Sequence, residues 1–150
     1  MTLIEGIINV VTHEIFLSVT IIFIVCQILK LLTKSNERGK LYWKGLIEDG
    51  GMPSSHTASV VALSTSIGLL EGFTAPIFFV AGAFSIIVMR DAFGIRHNVD
   101  KLTMKINNLI KAENLKIKQA DIVSGHTFWQ VLNGFLLGVI GVLILHFWIL

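Results

Sequence analysis

The chain has 150 residues, 53% of them apolar and only 15% charged, with a mean hydropathy of +0.76 and a formal net charge of +2. A soluble domain usually carries about a quarter charged residues, and a chain this short cannot hide so much apolar surface in a water-facing core. The composition therefore excludes a water-soluble globular domain and predicts a single integral membrane domain, much of it covered by lipid.

The first apolar run is Ile15 to Leu32, extended back to Ile7, which gives an expected span over 7–32. That suffices for a crossing, which needs about 20 residues. Its positive charges follow rather than precede it, the reverse of a cleavable secretory signal. The lone cysteine, Cys26, lies inside this run and is expected to be a buried thiol with no intrachain disulfide. Residues 33–53 form a polar loop carrying Lys34, Arg38, Lys40 and Lys44. The second span, 54–70, is rich in Ala, Ser, Thr and Gly. Small residues mark close helix packing in membranes, so this helix is expected at the centre, wrapped by the others; the same surface permits a homodimer. Glu71-Gly72-Phe73 makes a turn into a third span over 74–93, near whose end stand Arg90 and Asp91.

The long polar stretch 94–126 contains Val99, Leu102, Ile106, Leu109 and Ile110 at helical spacing, with Lys101, Lys105, Asn108 and Lys111 largely elsewhere on the wheel. Two readings fit this pattern: an amphipathic helix in the headgroup region, or a short helix packed on the protein itself. A fourth span covers 127–150. The expected fold is thus all-α, an integral membrane bundle of about four transmembrane helices with an amphipathic cytoplasmic helix.

The basic residues give an orientation. Apart from Lys30 and Arg90 at span ends, every Lys and Arg falls in 33–53 or 94–126. Basic loops stay in the cytoplasm, so those two loops are expected inside, and both termini and the 71–73 turn outside, in a multi-pass protein of the cell membrane. His13 and His146 fall near the outer face and are read as structural or interfacial, and His97 as a solvated loop histidine. Trp43, Trp129 and Trp148 fit interface anchors.

The chemistry gathers at Gly50-Gly51-Met52-Pro53-Ser54-Ser55-His56. Pro53 suits the first position of a helix, Ser54 and Ser55 suit its cap, and the glycines let the backbone approach a ligand. A helix start with free N–H groups is an anion site, and His56 would stand beside the anion. The spacing fits equally a capped helix start with an interfacial histidine.

Gly50 to Ala58 resembles the signature of the divergent branch of the type 2 phosphatidic acid phosphatase family, whose superfamily includes bacterial acid phosphatases and vanadium haloperoxidases. The resemblance continues through Asp91-Ala92-Phe93-Gly94-Ile95-Arg96 and Gly125-His126-Thr127, then Gln130, Val131 and Gly134, and so covers nearly the whole chain. It implies a lipid phosphate phosphatase, with phosphatidylglycerol phosphate, phosphatidic acid or a prenyl phosphate as substrate. His126 would be the nucleophile that forms a phosphohistidine, and His56 the acid–base group. Phosphate would be held by Lys30, Gly51, Ser54, Ser55 and Arg96, with Arg38 or Lys40 as a second cation. Such a mechanism needs neither metal nor cofactor, and no nucleic acid is expected as partner. Gln130 stands where the superfamily has the aspartate that orients the nucleophile, and its amide brings no charge. Asp91 is a candidate for that carboxylate, or else a local partner of Arg90 or Arg96. The alternative function is a non-catalytic membrane protein that binds an anionic lipid or a protein partner at the same pocket.

Overall fold

The structure, a computed structural model, describes residues 2–43, 51–120 and 125–149, apart from the side chain of His97. Gly50, Lys44 and the His97 side chain therefore lie outside the described residues. Among the described residues, six α-helices follow in order: α1 (Leu3–Val11), α2 (Glu14–Arg38), α3 (Ser55–Glu71), α4 (Pro76–Arg90), α5 (Arg96–Ala112) and α6 (Phe128–Trp148). A π turn, Asp91–Ile95, joins α4 to α5.

The expected span over 7–32 is two helices. α1 ends at Thr12, and the His13 side chain caps α2 by accepting the Ile15 N–H at 3.3 Å. At the other end α2 runs six residues further than its apolar content suggested, to a left-handed Gly39 (φ 65°). Its 25 residues reach about 37 Å at 1.5 Å per residue. The hydrocarbon core is about 30 Å thick, so the last turns, with Lys34 and Arg38, stand clear of it. The loop expected from residue 94 is also helical, because the chain passes through the π turn into α5 without a break between Pro76 and Ala112. Among the described residues, three helical runs are long and apolar enough to cross a membrane, 14–38, 76–112 and 128–148.

α3 is the central helix, as its small residues predicted. It packs against α2, α4 and α6, and Ala58, Val61 and Ala62 are fully enclosed. Its length, 17 residues or about 26 Å, is close to the hydrocarbon thickness. Close approach comes from glycines on α6. A Cβ at Gly138 would lie 2.9 Å from the Ala58 carbonyl oxygen, and one at Gly134 only 2.6 Å from that of Ser54; only glycine lets the two backbones meet there. Ile22 and Cys26 of α2 complete this core with Val142 and Leu145 of α6. Two serines inside the bundle bond to nearby carbonyls, which suits an apolar surround. Ser64 on α3 donates to the Val61 carbonyl at 3.1 Å. Ser85 on α4 donates toward Val60 and Ala81 carbonyls, each at 2.9 Å.

The outer surface is apolar in return. Phe79, Val80, Ile86 and Ile87 on α4, and Ile140 and Ile144 on α6, are all more than half exposed, as lipid-facing side chains should be. Trp129 and Trp148, also exposed, stand near the two ends of α6. Nineteen positions separate them, about 28 Å along the axis, which matches the distance between the two interfaces. At the end where α2 begins and α6 finishes, His146 Nδ1 meets Glu14 Oε1 at 2.5 Å, so His146 and His13 both hold structure there.

Candidate phosphate site at one end of the bundle

The ends of α2 and α4 and the starts of α3 and α6 meet at the opposite end of the bundle. The N-termini of α3 and α6 bring positive helix-dipole ends to this region. Ser54, rather than Pro53, is the boundary residue of α3. Its Oγ accepts from the Thr57 N–H at 3.4 Å and the Thr57 hydroxyl at 3.1 Å, and its own N–H donates to the Gln130 carbonyl at 3.0 Å. That last bond ties the start of α3 to the start of α6. Pro53 precedes the cap, Ser55 opens the helix, and His56 follows within the first turn. Ser54 and Ser55 are buried and His56 is exposed.

His126 is carried by the short segment 125–127 that leads into α6. It is 2% exposed, yet lines a cleft of about 300 Å³ together with His56, Asp91, Ala92 and Arg96. The two imidazoles stand edge to face with centroids 6.2 Å apart. The π turn builds this cleft. The Arg96 N–H reaches back five residues to the Asp91 carbonyl, so the Ala92 carbonyl accepts the His126 backbone N–H instead, at 3.0 Å. Wide turns of this kind concentrate at functional sites. Across the same turn the Arg96 Nε donates to Asp91 Oδ2 at 3.0 Å, with both side chains more than a third exposed. The guanidinium keeps its terminal Nη donors for an anion, and Nε is the donor that holds the carboxylate.

Gln130 closes a capping box with Thr127: its Oε1 accepts the Thr127 N–H at 2.9 Å while its own N–H meets Thr127 Oγ1 at 3.4 Å. The amide oxygen expected to orient His126 is thus engaged at the helix cap. Lys30 is 4% exposed and lies against Gly51, whose φ is +96° and whose added Cβ would meet Lys30 Cγ at 3.3 Å. Arg38 and Lys40 are exposed and are not among the described residues lining the cleft. Arg38 stacks over the Tyr42 ring at 3.6 Å, and Lys40 follows the end of α2. The structure therefore brings His56, His126, Asp91 and Arg96 together, and sets Lys30 and Gly51 side by side. Like Arg38 and Lys40, the residues Lys30, Gly51, Ser54 and Ser55 are not among the described residues lining the cleft.

Two further residues shape the site and escaped the sequence reading. Lys34, one turn beyond Lys30, also reaches Gly51, with its Cε 2.8 Å from where a Cβ would stand. The i, i+4 spacing is the signal in the sequence, hidden because the polar stretch from residue 33 reads as a loop. Asp100 on α5 is 8% exposed, and its Oδ2 accepts the Gly125 N–H immediately before His126. Its other oxygen is buried without a hydrogen-bond partner among the described residues. No motif pointed to it. Among the described residues there is no cluster of three or more His, Cys, Asp or Glu suited to a metal ion.

An all-helical bundle with helices long and apolar enough to cross a membrane, and with two histidines, an arginine–carboxylate pair and two helix N-termini gathered at one end, defines the class: a helical membrane protein. The profile of the Divergent PAP2 family matches residues 11–141, and the chain belongs to that family. It is 32% identical over 139 residues to the uncharacterized membrane protein YuiD of Bacillus subtilis (strain 168), across 83% of this chain and 88% of that protein. No solved structure matches the chain.

Proposed function

We propose that this protein hydrolyses a phosphate monoester of a membrane lipid, the candidates being phosphatidylglycerol phosphate, phosphatidic acid and a prenyl phosphate. The observation that carries this reading is the pair of imidazoles 6.2 Å apart across a cleft that also holds Arg96. The separation is of the order that lets one ring approach phosphorus at about 3–3.5 Å while the other reaches a leaving oxygen at about 2.8 Å. In the first step a His126 ring nitrogen bonds to phosphorus as the ester P–O bond breaks, and His56 gives its proton to the departing lipid alcohol. In the second step His56 takes a proton from water, the water oxygen bonds to phosphorus, and the N–P bond breaks to release phosphate. Arg96 and the helix starts stabilise the charge on the equatorial oxygens. Lys30 and Lys34 add positive charge beside Gly51. Asp91 acts by holding Arg96. The distribution of basic residues supports a site at the cytoplasmic leaflet, with the substrate entering sideways from the bilayer.

The test is phosphate release from a panel of these three lipid phosphates by the purified protein, alongside His126→Ala and His56→Ala. Turnover by the wild type and its loss in both variants is expected; full activity in His126→Ala would sink the nucleophile. A second reading, a non-catalytic binder of anionic lipid, is favoured by one observation: the Gln130 amide is committed to the cap and no carboxylate stands at that position. Gln130→Glu separates the two, since glutamate serves equally in a capping box. A gain in turnover supports a phosphatase of lowered competence. Lipid binding without turnover in either form supports the binder.

A further inference from the structure

α5 has three distinct sides. One, with Asp100, Thr103 and Asn107, is turned toward the chain that folds back after it. Asp100 holds Gly125, and the Asn107 side-chain amide clamps Ala120, donating to its carbonyl at 2.8 Å and accepting its N–H at 2.9 Å. The second side is a row of Val99, Leu102, Ile106 and Leu109, which are 46%, 58%, 43% and 62% exposed. The third, beside Leu102 and Leu109 on the wheel, carries Lys101 and Lys105, both exposed. The returning segment repeats the pattern, with exposed Leu115 and Ile117 alternating with Lys116 and Lys118.

Charge is concentrated here. Residues 101–120 contain five lysines and one glutamate, a net +4, against +2 for the whole chain, so the remaining 130 residues sum to −2. The position is equally telling. α5 continues, through the π turn, the helical run that starts with α4 and is apolar enough to cross the membrane, and α4 with the π turn spans 20 residues, about the length one crossing needs. The π turn between them is a place where helices bend.

We propose that α5 and the segment clamped to it form an arm that docks on the anionic surface of the bilayer in which the protein sits, its apolar row inserted and its lysines over acidic headgroups. A row of four large apolar side chains flanked by lysines matches such a surface in both hydrophobicity and charge. Because Asp100 links the arm to Gly125, docking also steadies the segment that carries His126.

The test uses the full chain with Cys26→Ala and a single new cysteine, Leu109→Cys on the apolar row or Asn108→Cys on the far side of the helix from it, each carrying an environment-sensitive fluorophore. The protein is placed singly in nanodiscs of phosphatidylcholine, or of phosphatidylcholine mixed with phosphatidylglycerol. The label at 109 is expected to shift to the blue and to be quenched by headgroup-proximal spin-labelled lipid in the acidic discs, while the label at 108 stays water-like. Each lysine near an acidic surface changes the docked-to-free ratio by about fivefold, so Lys101→Glu with Lys105→Glu should lower it by about 25-fold or more. Water-like emission at 109 in both discs overturns the proposal. So does an equal shift in both that ignores the lysines, and so does a shift seen only when two copies share a disc. The readout does not depend on turnover.

Discussion

Replacing Gly134 by alanine tests how closely α6 must hold His126 to the start of α3. The added Cβ would lie 2.6 Å from the Ser54 carbonyl oxygen and 3.1 Å from Thr57 Cβ. The carbonyl cannot swing aside, because it accepts the Ala58 N–H at 2.9 Å within the first turn of α3. Ordinary contact begins near 3.4 Å, so α6 must retreat by about 0.8 Å in a tightly packed interior. Alanine recovers about 0.5–1 kcal/mol of helix preference, whereas overpacking costs about 1–3 kcal/mol, leaving a net loss centred near about 1 kcal/mol and reaching at most about 2.5 kcal/mol. A melt in detergent should show Tm falling by about 2–4 °C, and by no more than about 10 °C. The retreat also stretches the Ser54–Gln130 bond that ties the two helix starts, and with it the spacing of His56 from His126. Misplacement of about 1 Å costs up to about 100-fold in rate, so phosphate release should drop at least about tenfold. Gly82→Ala on α4 is the control, since nothing lies within 4 Å of its added Cβ; it should melt no lower than wild type. Gly134→Ala that melts and turns over like wild type would refute the claim that this contact sets the site.

Three further outcomes are expected. Asp100→Ala removes the acceptor for Gly125 and should cost about 1.5–3 kcal/mol of stability, as for hydrogen bonds to charged groups, with slowed phosphate release; Asp100→Asn keeps an acceptor oxygen and should recover part of both in melting and rate measurements. Arg96→Lys keeps the charge but loses the fork that bonds Asp91 and an anion together, so kcat should fall by about 10²–10³, the range for losing one transition-state donor, with little change in Tm. His146→Phe at the far end should lower Tm by removing the contact with Glu14 while leaving kcat unchanged, and an altered kcat would mean the two ends of the bundle are coupled.

Much of the fold was legible because lipid leaves a plain record. Spans read as apolar runs, and the small residues of 54–70 predicted a buried central helix, which α3 is. What failed were boundaries set by local bonds rather than by hydropathy. Nothing in the apolar count marks the break at Thr12 and His13, where a histidine side chain caps a helix. Nor does polarity end a helix: Lys34 and Arg38 continue α2 because lysine and arginine are good helix formers, and the stop waits for Gly39. At the site, His56 and His126 came from the family resemblance, and the structure sets them across one cleft. Gln130 was expected to turn toward the histidine, but its place three residues after Thr127 fits a capping box better. Asp100 was unreadable because its partner is a backbone N–H 25 residues away, and a single chain carries no trace of such a pairing.

The wide turn between α4 and α5 sets an angular phase. In an ordinary α-helix, positions five apart point about 140° away from each other, and Asp91 and Arg96 would face different neighbours. One extra residue in the turn brings them onto a common azimuth, and the same shift decides which way α5 presents Asp100 to Gly125. Deleting any one residue between 91 and 95 would therefore shorten the chain by less than 2 Å along the axis yet rotate everything beyond it. Arg96 would leave Asp91, the Ala92 carbonyl would return to its own helix, and Asp100 would swing away from the His126 segment. Chain length in this stretch is fixed by rotation, while the lipid-facing stretches on either side of it tolerate change so long as they remain apolar.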